Sequence, residues 1–414
     1  MVEDRRWTMP FFTIWTGQAC SLLGSALVQF ALIWWLTEST GSATVLALAA
    51  LVAMLPQVVL GPLAGTLVDR WDRRAVMMAA DSLIALATAA LVIAFATNVV
   101  APWHVYLILA VRSAGSGFHV PAMQASTSLM VPDKHLARVS GLNQALNGAM
   151  NVAAPPLGAL LLKVLPVQGV LMIDIGTAAL AVLPLLVVAV PQPERRATGK
   201  GLGAIRQDFE TGLRYVAGWP GLLVLLVMAM MINFCLFPAF SLLPILVTER
   251  FGGDALELAW MESAWGLGLI LGGMTLGVWG GFKRRIVTFL VGLVGLGLGL
   301  LWVGLTPSMA LGMALVAMWF AGMMAAIHGG PYIATLQAAV APEMQGRVLS
   351  LVSSGMAAIA PVGLAIAGPV TDAAGPTIWY IVGGVLCILM GAVGLHLPVL
   401  LDIEDNRRAA RQPA

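Results

Sequence analysis

Residues Ala43–Arg74 read ATVLALAALVAMLPQVVLGPLAGTLVDRWDRR. From Ala43 to Val68 there is no charged residue, and then Asp69, Arg70, Asp72, Arg73 and Arg74 crowd into six positions. A hydrocarbon core of about 30 Å is crossed by roughly 20 apolar residues in a helix, so the stretch predicts a membrane-spanning helix that stops at a charged turn. Working outward, the same count predicts twelve spans, at 10–36, 43–68, 75–97, 102–124, 139–162, 167–190, 220–247, 258–281, 286–306, 309–333, 348–371 and 377–400. Only four charged residues lie inside them: Asp81, Arg112, Asp174 and Glu262. The first run is too long for a cleaved secretory signal and has eleven more behind it, so it reads as the first span.

The composition agrees. Of 414 residues 59% are hydrophobic and 10% charged, against about 25% charged in soluble proteins, which excludes a water-soluble fold. Short alternating segments of a membrane barrel are absent. A net charge of +2 offers no basic surface for nucleic acid. Cys20, Cys235 and Cys387 show no paired spacing, and the five histidines no ligand spacing. No nucleotide-binding loop or nucleophile elbow occurs, so no cofactor, no metal and no enzymatic activity are expected.

Short cytoplasmic loops carry the lysine and arginine excess. With the N-terminus inside, nineteen of the twenty-two fall on the cytoplasmic side, Lys163 and Arg250 fall outside, and Arg112 is buried in a span. An even span count puts both termini in the cytoplasm of a multi-pass plasma-membrane protein. The longest polar interruption, 191–219, divides the spans six and six. The expected organisation is an N-terminal bundle (1–190), a cytoplasmic linker (191–219) and a C-terminal bundle with a short tail (220–414). In the linker, Ile205, Phe209, Leu213 and Val216 recur at helical spacing among Arg206, Asp208, Glu210 and Arg214, as in a helix lying on a membrane surface.

The halves repeat. Pro121 and Pro132 recur as Pro331 and Pro342 at an offset of 210, Arg138-Val139 as Arg347-Val348 at 209, and Arg73-Arg74 as Arg284-Arg285 at 211. Six helices return the chain to the same side, so the copies share an orientation. The expected fold is all-α, two pseudo-two-fold related six-helix bundles with a cavity between them.

The charged turn carries a more specific signal. Gly65-Thr66-Leu67-Val68-Asp69-Arg70-Trp71-Asp72-Arg73-Arg74 resembles the signature loop of the major facilitator superfamily, in which a glycine, a leucine, an Asp-Arg pair and two further basic residues recur at this spacing. Gly65 suits close helix approach, and Asp69 suits a helix N-terminus, whose dipole favours an anion. The resemblance implies that this helix is the eleventh span and that Gly65, Asp69, Arg70, Arg73 and Arg74 form a cytoplasmic gate latched by Asp69. Asp72 stands where the family has glycine, and the second copy has Gly280 in place of the acid.

In the fourth span, Arg112 precedes Ala114, Gly115 and Gly117, resembling the family motif whose arginine tunes a protonation site. A charge at mid-bilayer costs about 2.5–3.5 kcal/mol on insertion scales, so it faces a cavity or a partner; bonds to carbonyls and to Gln18 or Gln29 are the structural alternative. The fifth span holds Gly148, Pro155, Pro156 and Gly158 in a degenerate form of the family's antiporter motif, echoed in the eleventh by Pro361 and Gly363. Interior prolines and small residues at matching places suggest hinges and packing seams. A proton-coupled carrier needs a buried carboxyl. Glu262 stands first, among Trp260 and Trp265, where aromatic rings suit an apolar cation; Asp81, near His119 or a loop arginine, second; Asp174 third.

The resemblance is to the macrolide-efflux and drug:proton antiporter branch. It implies a monomer in the lipid bilayer that exports small amphiphilic substrates in exchange for protons by alternating access. An exporter of a siderophore, lysolipid or other single metabolite shares these motifs. A membrane enzyme or sensor needs a convergent nucleophile or metal constellation, or an appended soluble domain, and the sequence displays neither.

Overall fold

The computed structural model describes residues 7–68, 70–192 and 202–403. All regular elements among them are helical. The chain divides into two compact units, Met1–Gly199 and Lys200–Ala414.

The first unit contains α1 (Thr8–Thr40), α2 (Ala43–Val68), α3 (Arg73–Ala96), α4 (Pro102–Met130), α5 (Asp133–Val164) and α6 (Val167–Val187). The second opens with the linker helix α7 (Leu202–Ala217) and continues with α8 (Pro220–Ser241), the short α9 (Leu243–Ile245) and a π-helical turn at Leu246–Arg250. It ends with α10 (Ala255–Trp279), α11 (Arg285–Leu305), α12 (Leu311–Ala339), α13 (Pro342–Ala374), α14 (Ile378–Gly394) and α15 (Pro398–Leu401). Each of the twelve predicted spans therefore has its helix. Among the described residues ten helices are long and apolar enough to cross a membrane; the other two of the twelve are α4, with Arg112 in its interior, and the 17-residue α14. Val187 and Val278 are 86% and 93% exposed, as side chains facing lipid are.

Helix ends follow local chemistry. α1 and α10 stop at Gly41 and Gly280, whose φ of 57° and 77° continue the chain in the left-handed region, and their N–H groups return to Thr37 and Leu276. α10 starts with a capping box between Asp254 and Glu257. The Asp72 carboxylate accepts from the Ala75 N–H and caps α3, a physical reason for an acid where the family has glycine. Counting apolar residues misplaces some ends. α4 runs on to Met130 and α5 begins at Asp133 on either side of Pro132, because a helix continues beyond the lipid until its backbone is interrupted. The spans at 220–247 and 377–400 are each broken, before Pro244 and Pro398, which lack an N–H to donate.

Both units use one pairing scheme. In the first, α1 packs on α5 and α6, α3 on α4 and α6, and α2 on α4. In the second, α8 packs on α13 and α14, α11 on α12 and α14, and α10 on α12. The internal repeat is thus a repeat of helix contacts. Within the second unit, α7 lies against α13: a Cβ on Gly212 would stand 3.3 Å from the Arg347 carbonyl oxygen, and the Ala341 N–H donates to the Tyr215 hydroxyl. Val216 of α7 is buried, whereas Leu213 is exposed; the side chains of Ile205 and Phe209 lie outside the described residues.

Lipid gives no hydrophobic drive for one apolar helix to prefer another, so small residues that admit close backbones set the seams. Along α10 and α12 a Cβ on Gly268 would collide with the Trp319 carbonyl oxygen, one on Gly272 with that of Met323, and one on Gly322 with that of Trp265. Backbone cannot yield as a flexible side chain does, and overpacking costs about 1–3 kcal/mol. Gly273, beside Gly272, has nothing within 4 Å of its would-be Cβ. Gly272→Ala is expected to lower the thermal midpoint of the detergent-solubilised protein by several degrees, while Gly273→Ala leaves it unchanged or raises it. Equal midpoints for the two variants would remove the close-contact account of this seam.

Candidate functional site

The chemistry of the first unit is concentrated on α1, α3, α4, α5 and α6. Residues three and four apart share a helix face. Trp15, Gln18, Ser21 and Ser25 therefore line up on α1, Ser116, His119 and Met123 on α4, and Asn143 and Asn147 on α5. With Asp81 and Ile84 of α3 these faces enclose a cavity of about 290 Å³. The Trp15 indole donates to Asn143 Oδ1 at 2.7 Å, and the Gln18 amide donates to Asp81 Oδ2 at 3.2 Å. His119 Nε2 stands 3.4 Å from Asp81 Oδ1. Of the two partners open to Asp81 from the sequence, His119 is the one in contact.

Arg112 and Asp174, separate candidates in the sequence, form one buried ion pair. Arg112 Nη1 lies 2.6 Å from Asp174 Oδ2 and donates also to Thr88 Oγ1 at 2.9 Å. Thr88 and Ser25 each donate to the same carboxylate at 3.3 Å. Four helices meet at Asp174, which is 1% exposed. Neither glutamine considered as an Arg112 partner serves: Gln18 is engaged with Asp81. Gly24 of α1 makes room, since a Cβ there would run into the Thr177 hydroxyl of α6.

The turn after α2 is anchored by its basic residues. Arg73 is buried and donates to the Ala125 carbonyl of α4 at 2.8 Å, and Arg74 to the Leu186 carbonyl in the last turn of α6 at 2.7 Å, where the helix leaves acceptors unpaired. Arg70 is exposed and borders a larger cavity of about 630 Å³, lined mainly by apolar side chains of α3 and α4 such as Val76, Leu83 and Phe118. Asp69 and the side-chain environment of Gly65 lie outside the described residues. In the second unit the Arg284 guanidinium reaches the Leu401 carbonyl at 3.4 Å and Asp402 at 3.7 Å.

Glu262 of α10 is half-buried, within electrostatic reach of Tyr380, and one turn from Trp265, whose ring meets Phe240 edge-on at 4.5 Å. Among the described residues it has no ion-pair partner. Pro155 and Pro156 lie inside the continuous α5, and Pro361 inside the continuous α13. A Cβ on Gly158 would stand 2.8 Å from the Phe30 ring of α1, and one on Gly363 2.7 Å from the Phe234 carbonyl oxygen of α8. The fifth helix of each unit is thus fitted to the first by a glycine. At Gly148 a Cβ would meet nothing within 4 Å. Asn143, Asn147 and Gln124 line the cavity without carrying charge, and in the sequence they stand out only as polar side chains inside apolar spans.

Removing one member of a buried pair leaves the other charged and unpaired, at about 3–5 kcal/mol. Asp174→Asn and Arg112→Gln are each expected to reduce the folded, monodisperse fraction strongly, and the double variant to recover part of it. A double variant as damaged as the sum of the two would contradict a direct pair.

The architecture has known counterparts. The model of the Major Facilitator Superfamily matches residues 14–252. Macrolide efflux protein A of Streptococcus pyogenes is 33% identical over 393 residues, covering 95% of this chain and 97% of its own. The multidrug efflux pump Tap of Mycolicibacterium fortuitum is 26% identical over 396 residues, covering 92% and 94%. In fold, the chain resembles the nucleoside transporter NupG, with a TM-score of 0.71 at 10% identity over 94% of this chain and 98% of that one. It also resembles a D-xylose-proton symporter, with a TM-score of 0.68 at 15% identity over 92% and 96%. The chain belongs to the major facilitator superfamily: it is a multi-pass membrane transporter of small molecules and not an enzyme.

Proposed function

We propose that this transporter exports amphiphilic drugs or macrolide-like compounds across the plasma membrane by alternating access, in exchange for protons. The observation that carries the reading is the cavity of the first unit, where the Asp81 carboxylate stands among amides, hydroxyls and an indole within an otherwise apolar bundle. Such a mixture of apolar walls with a few placed polar groups suits an amphiphile. The names of the relatives, macrolide efflux protein A and multidrug efflux pump Tap, support export of this class.

Coupling requires a buried acid, alone or with a basic neighbour, at a site that gains and loses a proton as the cavity changes sides. Asp174 is the weakest of the three candidates, because Arg112 and two hydroxyls hold its charge in place. Asp81 and Glu262 remain, the first in the cavity and the second without an ion-pair partner among the described residues. The working unit in this reading is a monomer with both termini in the cytoplasm, and residues 191–219 form the linker between bundles 1–190 and 220–414, with α7 on the membrane surface. The proline-bearing α5 and α13 are the moving elements, and Asp69 is the latch of a cytoplasmic gate completed by Gly65, Arg70, Arg73 and Arg74.

Inverted vesicles carrying the protein, with an imposed inside-acid pH gradient, are expected to accumulate a fluorescent lipophilic cation and to lose that accumulation when the gradient is collapsed. No accumulation by correctly inserted protein would redirect the assignment to a dedicated exporter of a siderophore, lysolipid or similar metabolite. Asp69→Asn is expected to impair accumulation severalfold at normal expression, and unchanged transport would eliminate the latch.

A further inference from the structure

The cavity around Asp81 is lined by one carboxylate and one imidazole, and they face each other. Asp81 Oδ1 lies 3.4 Å from His119 Nε2, while Oδ2 is held by Gln18. His119 Nε2 is buried and, among the described residues, makes no hydrogen bond; the Asp81 carboxylate is its charged neighbour, and protonation of the ring would make the contact an ion pair. Among the described residues that line the cavity, no other side chain is charged. From α1 come Trp15, Gln18, Ser21 and Ser25, from α5 Asn143 and Asn147, and from α4, besides His119 itself, Ser116 and Gln124. Arg112, two turns before His119 on α4, spends its charge on Asp174, and Asp174 touches the cavity lining only through Ser25. Among the described lining residues the Asp81 charge thus has one cationic counterpart, and it has that one only when the imidazole is protonated.

We propose that His119 is the proton-exchanging group, and that Asp81 is one carboxylate used in turn by the His119 imidazolium and by the cationic nitrogen of the substrate. The inference rests on the proposed proton-coupled export and names its exchange site and the charge its substrates carry. Two cations beside one carboxylate repel, so each lowers the occupancy of the other. When an organic cation settles against Asp81, the proton on His119 Nε2 leaves to water on the loading side and a neutral ring remains. When a proton from the opposite side returns to Nε2, the imidazolium reclaims Asp81 and the organic cation departs. One positive charge replaces another, so exchange of a monovalent cation moves no net charge and responds to the pH gradient and not to the membrane potential. Imidazole is suited to this because its charge changes between about pH 5 and 8. The amides and hydroxyls around the pair fit a substrate with hydrogen-bonding groups near its cationic centre, which defines the class as monovalent organic cations with a polar periphery.

Ethidium, whose charge does not titrate, is the probe, with the full-length protein in nanodiscs and a pH indicator in weak buffer. The wild type is expected to release up to about one proton per ethidium bound and to lose affinity by up to about tenfold per pH unit as the medium is acidified. His119→Gln is expected to bind ethidium with an affinity independent of pH and to release no proton. Asp81→Asn is expected to lose ethidium affinity at least about tenfold. Should His119→Gln fail to fold, the wild-type pH profile decides alone: an affinity that is flat between about pH 5.5 and 8 overturns the proposal. So does proton release by His119→Gln equal to that of the wild type, or failure of the wild type to bind ethidium. Gradient-driven accumulation with undiminished proton release by His119→Gln sinks the exchange site and leaves the proposed export standing. One-proton release by the wild type without gradient-driven accumulation does the reverse.

Discussion

A bilayer offers no hydrogen bonds, and the rest of this structure follows from that. Every backbone N–H and C=O within the hydrocarbon has to be satisfied inside the chain, which leaves helices as the only economical element for an open-ended polypeptide. The same rule governs side chains. An arginine at mid-span has to find an acid, and Arg112 finds Asp174, with Thr88 and Ser25 taking up the remaining capacity of the carboxylate. Once that knot ties α1, α3, α4 and α6 together, the polar faces of α1, α3 and α4 have a fixed rotational phase, and with the Asn143 face of α5, held by Trp15, they form the cavity around Asp81.

The span count, the duplication and the family were legible in the sequence because each rests on one-dimensional information: run length, offset and local motif. The second helix ends at Val68, where the charge begins. What could not be read was anything that depends on how one helix is turned against another. Arg112 and Asp174 are 62 residues apart in the chain, and no local pattern says that they touch. Asp81 and His119 were each visible, and their contact was only one of two options. Asp72 looked like a departure from a motif and is a helix cap, a role set by the φ and ψ of a single turn. The breaks before Pro244 and Pro398 were hidden for a different reason: apolar residues continue through them, and hydropathy does not register the loss of a backbone donor.

Duplication has preserved contacts more faithfully than chemistry. In each unit an arginine of the turn after the second span reaches a carbonyl at or just beyond the last span, although not the equivalent one: Arg74 that of Leu186 in one, and Arg284, the counterpart of Arg73, that of Leu401 in the other; the glycine that seats the fifth span on the first is kept in both. The interiors have diverged. The first unit has a buried ion pair and a carboxylate-lined cavity; in the second the membrane-embedded acid Glu262 stands among aromatic rings, and glycine replaces side chains at the seams. Helices that pair identically need not carry the same side chains in their interiors.

The glycine seam of α10 and α12 also has a thermal meaning. A seam of interlocked leucines and methionines freezes rotamers when it forms, at up to about 2 kcal/mol for each long side chain, and recovers that entropy when it opens. Where Gly268, Gly272 and Gly322 bring backbone against backbone, there are few rotamers to freeze and few to release. Its grip therefore weakens less on warming than a side-chain seam of equal area, and this pair of helices is set to be among the last in its unit to separate.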